Sequence, residues 1–205
     1  APSGTKGISL FLVPKFLVNA DGSLGARNDI HASGVEHKLG MHASPTCTMT
    51  MGDKGGAIGF LIGEENAGMR CMFTMMNQAR LGVGLEGVGI ADRAYQQALA
   101  YARERRQGKV VGHKGDGMDP IIVHPDVRRT LLTIRAFNEA ARAMVVWTAL
   151  KSDVAHRSND PKDRQAADDH MGLMTPVLKG VLTDTGFANT VSAQQMFGGH
   201  GYIAE

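Results

Sequence analysis

Two cysteines, few aromatic residues and almost no net charge set the first limits on what this chain can do. Cys47 and Cys71 have neither metal-site spacing nor the even framework of a disulfide-rich domain, so the sequence predicts free thiols in a reducing cytosol. Aromatic residues make up 5% and the formal net charge is +2, which argues against binding to nucleic acid or to a membrane surface. The eight histidines show no metal-ligand spacing, and we expect no metal site.

Long apolar runs are also missing from the sequence. No run approaches the roughly 20 residues that span a membrane, and the first seven residues do not have the shape of a signal peptide. The chain does have a hydrophobic fraction of 43% in 205 residues. That composition is enough for a sizeable core, in one domain or in two small ones.

The first third of the chain favours short β-strands separated by turns. The strand candidates are Gly7–Val13, Val35–Leu39, Cys47–Met51 and Ala57–Ile62, with a predicted turn at Asn19–Ser23. Short strands of this kind are typical of part of an antiparallel sandwich or barrel. From Gly68 onward the apolar period changes to 3.6, so we place a boundary near residues 64–68 and assign 1–66 to the β part and 67–205 to the helical part.

The first of three predicted long helices spans Met69–Lys109 and ends in a basic run. Its predicted buried stripe is Leu81, Leu85, Val88, Ala91, Tyr95, Leu99 and Ala102. Four glycines lie inside this pattern, at positions 82, 84, 87 and 89. Each costs roughly 1 kcal/mol against alanine, so we expect a neighbouring helix or a ligand to approach closely there. Gly82–Gly87 also fits G-x-G-x-x-G, but that fingerprint needs a preceding strand, and packing glycines are the better interpretation.

Two further helices follow a loop at Gly108–Pro120. One runs from Pro125 to about His156, and its predicted stripe is Val127, Leu131, Ile134, Ala141, Val145 and Thr148. The last begins at Pro161 with Asp160 as its N-cap, is interrupted or restarted at Thr175–Pro176, and continues to about Phe197. Helices with short connections indicate an antiparallel bundle. The predicted fold class is therefore α+β, with part of a β-sandwich or barrel followed by a helical bundle.

Two stretches combine groups that bind phosphate. Arg105–Lys109 places cationic side chains and an amide at a helix end, and Gln195–Tyr202 is rich in glycine at another. Arginine binds phosphate oxygens in a bidentate manner, and glycine backbone can approach a pyrophosphate closely. From the residues alone, a diphosphate site divided over two segments and a pair of ordinary helix ends remain equally open.

The sequence resembles the acyl-CoA dehydrogenases over nearly its whole length. The motifs that carry the resemblance are Lys38–Met41, Ser44–Thr46, Ile62–Met69, Met76–Gly82, Tyr101–Gly108 and Gln195–Tyr202. His124–Arg129 and the loop at Gly108–Pro120 resemble the large bacterial subfamily similar to 3-methylmercaptopropionyl-CoA dehydrogenase. The resemblance implies the end of a middle β domain followed by three helices of a C-terminal bundle, in a bacterial cytoplasmic enzyme.

The resemblance also implies a cofactor, a substrate and partners. Arg105 and Gln107 would contact the diphosphate of FAD in the neighbouring subunit, and Gln195, Gly198 and Gly199 would close over the same cofactor from their own side. The positions that line the CoA channel are Asn77 and Arg80. The implied reaction is removal of the α-proton of an acyl-CoA by a Glu while the β-hydride passes to the flavin N5. An electron-transfer flavoprotein would receive the electrons, and the enzyme would be a homodimer or a dimer of dimers.

The catalytic Glu is where the sequence departs from the family pattern. The usual motif that carries it does not occur in residues 1–205, and the alternative position in the long helix is Ala79. Glu86 stays unassigned, and Glu205 belongs to the segment after the glycines. We therefore predict no catalytic residue in this chain and expect it to be a fragment of a longer enzyme. The alternatives are an acyl-CoA oxidase of the same fold and a non-catalytic helical module that binds CoA or a partner chain.

Overall fold

The computed structural model describes residues 2–204, so the expectation for Glu205 lies outside the described residues. The chain forms two compact units that divide after Thr74. The division falls inside the first long helix, because the first turns of that helix belong to the β-rich unit.

The first unit is built from three antiparallel strand pairs. Its strands are β1 (Leu10–Leu12), β2 (Phe16–Val18), β3 (Leu24–Arg27), β4 (Ile30–Val35), β5 (Cys47–Met51) and β6 (Phe60–Ile62), after a 3-10 turn at Gly4–Gly7. β1 pairs with β6, β2 with β3 and β4 with β5. The predictions at Gly7–Val13, Cys47–Met51 and Ala57–Ile62 are confirmed, since each contains one of these strands.

The strand predicted at Val35–Leu39 is wrong. The strand β4 ends at Val35, opposite Cys47, and begins at Ile30, opposite Met51. β4 contains polar residues, so the apolar–polar alternation typical of a strand was not visible in the sequence. One of these polar residues forms a hydrogen bond to the paired strand β5. The hydroxyl of Thr50 donates to the hydroxyl of Ser33 at 2.8 Å.

The predicted turn at Asn19–Ser23 is confirmed, but the two strands on either side of it were missed. The turn is closed by hydrogen bonds from the Asn19 amide to the Ser23 carbonyl and from the Gly22 amide to the Asn19 carbonyl, both 2.9 Å. It joins β2 to β3 as a hairpin. The strands are short and largely exposed, so they lack the apolar alternation that reveals a half-buried strand.

The second unit is a bundle of three long helices. They are α1 (Gly68–Glu104), α2 (Pro125–Arg157) and α3 (Pro161–Gln195), with 3-10 turns at Ile121–Val123 and Gly198–Tyr202. α1 and α3 run in the same direction, because Gly84 packs on Leu178 while Tyr101 stacks on Phe197 at the other end. α2 runs in the opposite direction, because Val88 of α1 shares a core cluster with Val145, whereas Ala98, further along α1, shares one with Ile134. Helices that follow one another in the chain are therefore antiparallel, as predicted, while α1 and α3 pack in parallel.

The bundle core consists of two apolar clusters along the helices. One cluster is Leu81, Val88, Ala141, Val145, Met171, Leu178 and Leu182, and the other is Ala98, Ala102, Ile121, Leu131, Ile134 and Ala193. The predicted α2 stripe is buried from Leu131 to Thr148. The α1 prediction is wrong at Leu85, which is 51% exposed. The contact line of α1 passes through Gly84, Gly87 and Val88 instead, where α1 lies against the backbone of α3.

Of the four glycines predicted inside the α1 pattern, Gly84 and Gly87 pack against α3. A Cβ on Gly87 would lie 2.6 Å from the carbonyl oxygen of Leu182, and a Cβ on Gly186 would lie 2.7 Å from the carbonyl oxygen of Gly87. Glycine therefore permits the backbones of α1 and α3 to touch. At Gly82 and Gly89 an added Cβ would meet nothing within 4 Å. The expected close approach is confirmed for one side of α1 only.

The interruption predicted at Thr175–Pro176 is wrong, because α3 continues through Pro176 as one helix. Proline removes one backbone hydrogen bond in a helix interior. Thr175 is fully buried at this point, and its hydroxyl donates to the Met171 carbonyl at 2.8 Å. Met171 and Leu178, before and after Pro176, are both buried. Their burial favours a continuous helix, although proline by itself favours a helix break.

The outer faces of the bundle carry many exposed apolar side chains. They include Val83, Ile90, Leu132, Val146, Trp147, Leu150, Leu173, Val177, Val181, Phe187 and Val191, each at least 36% exposed. Exposed apolar patches mark sites of protein–protein contact, so these faces are candidates for such contacts. No helix among residues 2–204 combines the length and the apolar composition needed to span a membrane.

Candidate functional site

Arg105 and Gln107 lie in a short extended segment that directly follows the end of α1. The helix stops at Glu104, earlier than the predicted Lys109, because the following residues pair with the chain around Asp119. The Ile121 amide donates to the Arg105 carbonyl at 2.8 Å, and the Gln107 amide donates to the Asp119 carbonyl at 2.9 Å. These bonds replace helical ones and hold the segment straight.

Gly108 ends this segment at a φ of +68°, a conformation that favours glycine. Its own carbonyl accepts from the Asp119 amide at 2.9 Å. An added Cβ there would also lie 3.5 Å from the ring of His124. That ring approaches the Gln107 carbonyl oxygen with its Nε2 at 2.8 Å. Both backbone polar groups of Gln107 are therefore occupied.

The end of α3 forms the second part of the site. After Gln195 the chain turns through Met196 and Phe197 into the 3-10 turn Gly198–Tyr202. The Gln194 side-chain amide donates to the Gly201 carbonyl at 2.7 Å, which fixes the turn. A Cβ on Gly201 would lie 2.6 Å from the Gln194 carbonyl oxygen, so glycine is needed there.

Aromatic contacts join the two parts. The rings of Tyr101 and Phe197 lie 4.6 Å apart, a separation typical of favourable aromatic pairs. The Tyr101 hydroxyl lies 3.3 Å from Nδ1 of His200. The last turns of α1 and α3 are thereby fixed to each other, and the side chains that follow them share one cleft.

The cleft between these segments has a volume of about 770 Å³, within the range of ligand pockets. All five residues predicted to bind the cofactor line it. Its lining is Tyr101, Arg105, Gln107, Gly108, Ile121, His124, Val127, Gln195, Met196, Phe197, Gly198, Gly199, His200 and Ile203. The two predicted segments are therefore brought together within this chain, and the contact of Arg105 and Gln107 with the FAD of a neighbouring subunit stays a prediction.

The chemistry of the lining fits a diphosphate. Arg105 supplies a permanent positive charge, and no carboxylate lines the cleft among the described residues. Gln107 and Gln195 add amide donors. Gly198 and Gly199 are exposed, and a Cβ on either would meet no protein atom within 4 Å, so the space in front of their backbone is open. Glycine backbone facing open space permits the close approach that a pyrophosphate requires.

The two residues predicted to bind CoA lie elsewhere. Asn77 and Arg80 are one turn apart on α1 and half-buried. They precede Arg105 by at least 25 residues, which corresponds to roughly 37 Å of helix, so they do not join the cleft. Asn77 Oδ1 lies 3.5 Å from the hydroxyl of Thr175.

Glu86, the carboxylate considered as a catalytic base within the described residues, does not occupy a dry site. Glu86 is exposed on α1, between the open glycines 82 and 89. Ala79, at the alternative position of the base, is also exposed. A carboxylate that removes an α-proton needs an apolar environment, which exposed positions do not supply.

Several residues of the cleft were not predicted from the sequence. Tyr101, His124 and His200 all line it, and Asp119 lies behind the segment of Gln107. Tyr101, His124 and His200 each stand inside a motif of the family resemblance, but no role was assigned to them. Asp119 had no sequence signal beyond its place at the end of a glycine-rich loop.

The family model described as acyl-CoA dehydrogenase, C-terminal domain, matches residues 66–205. This chain belongs to the acyl-CoA dehydrogenase family. Among relatives, 3-methylmercaptopropionyl-CoA dehydrogenase of Ruegeria pomeroyi is 43% identical over 206 residues, covering 100% of this chain and 34% of the relative. A butyryl-CoA dehydrogenase of Syntrophomonas wolfei is 39% identical over 211 residues, with the same two coverages.

Solved structures show the same acyl-CoA dehydrogenase fold. Caenorhabditis elegans ACDH-11 in complex with C11-CoA superposes with a TM-score of 0.77 and 23% identity, covering 98% of this chain and 30% of that chain. The family resemblance inferred from the motifs is thus confirmed. The chain spans about a third of the length of the curated relatives it matches.

Proposed function

We propose that this chain is the FAD-binding part of an enzyme that introduces an α,β double bond into an acyl-CoA thioester. The observation that carries the proposal is the single cleft that unites Arg105, Gln107 and Gln195 with Gly198 and Gly199. The family and the named relatives supply the acyl-CoA class of substrate. In domain terms, residues 1–66 end a middle β domain and residues 67–205 form the C-terminal bundle.

In this proposal the chain binds and orients the cofactor. Arg105 forms charge-assisted hydrogen bonds to the diphosphate, and the amides of Gln107 and Gln195 donate on either side. The backbone at Gly198 and Gly199 approaches the same oxygens. When bound, the flavin supplies the acceptor for the β-hydride, which protein side chains cannot provide. We assign α-proton removal to no residue of this chain.

The substrate and the partners are further parts of the proposal. Asn77 and Arg80 are assigned to the CoA-binding channel on the family resemblance, at a distance along α1 from the diphosphate cleft. An electron-transfer flavoprotein receives the electrons. The exposed apolar faces of the helices support assembly as a homodimer or a dimer of dimers. Bacterial relatives that act on CoA thioesters support a bacterial cytoplasmic location.

The test of the cofactor assignment is Arg105→Ala in the native full-length protein. Loss of a charge-assisted contact worth about 1.5–3 kcal/mol should raise the dissociation constant of FAD by roughly ten- to a hundredfold. Arg103→Ala is the matched control, since Arg103 is also exposed near the end of α1 but does not line the cleft. Equal retention of flavin through dialysis by both variants would refute the assignment. Peroxide formed during turnover would identify an oxidase instead.

A further inference from the structure

Asp119 is the one buried charged side chain in the part of the chain that the structure describes, at 4% exposure. It lies beside the cofactor cleft but does not line it. Asp and Glu are almost never fully buried unless they are paired, so the partners of this carboxylate indicate what it does.

Both carboxylate oxygens of Asp119 are occupied by the loop that follows Gln107. One accepts the Val110 amide at 2.9 Å, and the other lies 2.7 Å from Nδ1 of His113. The backbone of Asp119 adds two bonds, one from the Gln107 amide to its carbonyl and one from its amide to the Gly108 carbonyl. Four contacts from one residue therefore fix positions 107 to 113.

The rest of this loop has few other restraints. Residues 111–118 are exposed, and Gly112 and Gly117 adopt φ of +84° and +81°. Exposed glycine-rich chain gains many conformations when it is released, so ordering it has a high entropy cost. Two polar side chains add restraints, since Lys109 donates to the Gly115 carbonyl at 2.7 Å and Arg106 donates to the Met118 carbonyl at 3.1 Å. Both of these side chains are on exposed residues, so Asp119 provides the buried attachment.

The contacts of Asp119 reach the cleft through Gln107. The Gln107 amide donates to the backbone carbonyl of Asp119, and the Gln107 carbonyl oxygen is held by the His124 ring. The backbone of Gln107 is thereby fixed before any ligand enters. A site that is ordered in advance binds more tightly, because binding does not have to order it.

We propose that Asp119 is a positioning residue for the cofactor. Its carboxylate anchors the loop at Val110 and His113, which keeps the Asp119 backbone paired with Gln107 and holds Gln107 in place in the cleft. This inference rests on the proposed function, in which Gln107 contacts the FAD diphosphate. Asp119 itself does not touch the cofactor.

The experiment compares Asp119→Ala with Asp119→Asn and with the control Asp116→Asn in the native full-length protein. Asp116 is an exposed acidic residue of the same loop. Asp119→Ala should raise the dissociation constant of FAD by roughly tenfold, because the loop must then be ordered on binding. Asp119→Asn keeps one oxygen acceptor and should restore part of the affinity. At saturating FAD the KM for acyl-CoA should be unchanged.

Hydrogen exchange supplies a readout that does not depend on activity. In the flavin-free protein, Asp119→Ala should accelerate exchange of the Val110 amide, which loses its acceptor, and exchange of the Gln107 amide, because the loop that pairs with it is released. Asp116→Asn should leave both exchange rates unchanged. His113→Ala is the second variant, should Asp119→Ala fail to fold. The His113 side chain is 44% exposed, so its removal should weaken FAD binding less and in the same direction.

The outcomes separate the two proposals. A native protein that holds no flavin would refute the proposed function, and the positioning role with it. A flavoprotein in which Asp119→Ala binds FAD as tightly as Asp116→Asn would overturn only the positioning role. Faster exchange at Gln107 without weaker FAD binding would overturn it as well. If Asp119→Ala does not fold, an FAD affinity of His113→Ala equal to that of the wild type would overturn the positioning role.

Discussion

Replacing Gly87 with alanine should destabilise the protein, although alanine is the better helix former. The new Cβ would lie 2.6 Å from the Leu182 carbonyl oxygen and 3.2 Å from Cα of Thr183. The first distance is about 0.8 Å short of the 3.4 Å at which ordinary van der Waals contact begins. Both contacts are to α3 backbone, so no side chain can rotate away and the two helices must separate.

The expected loss follows from two opposing effects. Alanine in a helix interior contributes about 1 kcal/mol relative to glycine. Overpacking in a core typically costs about 1–3 kcal/mol, and contact with a backbone belongs at the upper end. The net change is therefore a loss of about 1–2 kcal/mol in the free energy of unfolding. For a unit of this size, that corresponds to a fall in Tm of about 2–8 °C.

Gly89→Ala is the matched control, because it lies on the same helix and its added Cβ would meet nothing within 4 Å. At position 89 only the higher helix propensity of alanine applies, so the free energy of unfolding should rise by about 1 kcal/mol. Denaturant unfolding of the native protein and both variants measures the difference. A Gly87→Ala variant as stable as Gly89→Ala would refute the close approach of α1 to α3. A loss at Gly89 would show that the native assembly covers the open face of α1.

Three further predictions concern a helix cap, a pH dependence and the segment alone. Asp160→Ala should lower the free energy of unfolding by about 1 kcal/mol, since its side chain accepts the Lys162 amide at 2.8 Å. Asp163→Ala should cost less, and equal effects in denaturant unfolding would contradict the cap. The Val110 amide, followed by the nearby His113, holds the pKa of Asp119 below its usual value, against the opposing effect of burial. The stability that this carboxylate contributes is therefore present above its unfolded-state pKa of about 3.9 and is lost as pH falls through the lower folded-state pKa. The stability difference between wild type and Asp119→Asn should narrow in acid, and a difference that widens there would refute this. Residues 1–205 produced alone should bind a hydrophobic dye, retain little FAD and show no acyl-CoA dehydrogenation, because apolar helix faces are exposed. Stoichiometric flavin with cooperative unfolding would contradict this expectation.

The helices and their buried faces could be predicted because helical periodicity is a local property of the chain. A repeat of three and four residues identifies the face that leaves water whatever the partner is. The stripe from Leu131 to Thr148 was therefore correct without knowledge of α3. The N-cap at Asp160 was correct for the same reason, since it is decided within one turn.

The five residues proposed to bind the cofactor were chosen through the family resemblance, whereas the residues alone only marked the two helix ends, which combine arginine, amides and paired glycines. Their meeting in one cleft depends on the tertiary structure. α1 and α3 run in the same direction, so their last turns lie side by side, and the contact between Tyr101 and Phe197 joins them. The sequence could not choose between a diphosphate site and two unrelated helix ends, because that choice depends on helix direction.

The sequence by itself determined that Gly82, Gly84, Gly87 and Gly89 lie within one helix and that Asp119 follows a glycine-rich loop. Only the tertiary structure decided that Gly87 touches α3 while Gly89 faces open space, and that Asp119 is buried against Val110 and His113. The physical reason is the same in both cases. Helix propensity and charge are properties of a residue and its near neighbours, whereas burial depends on atoms that the fold brings from elsewhere in the chain.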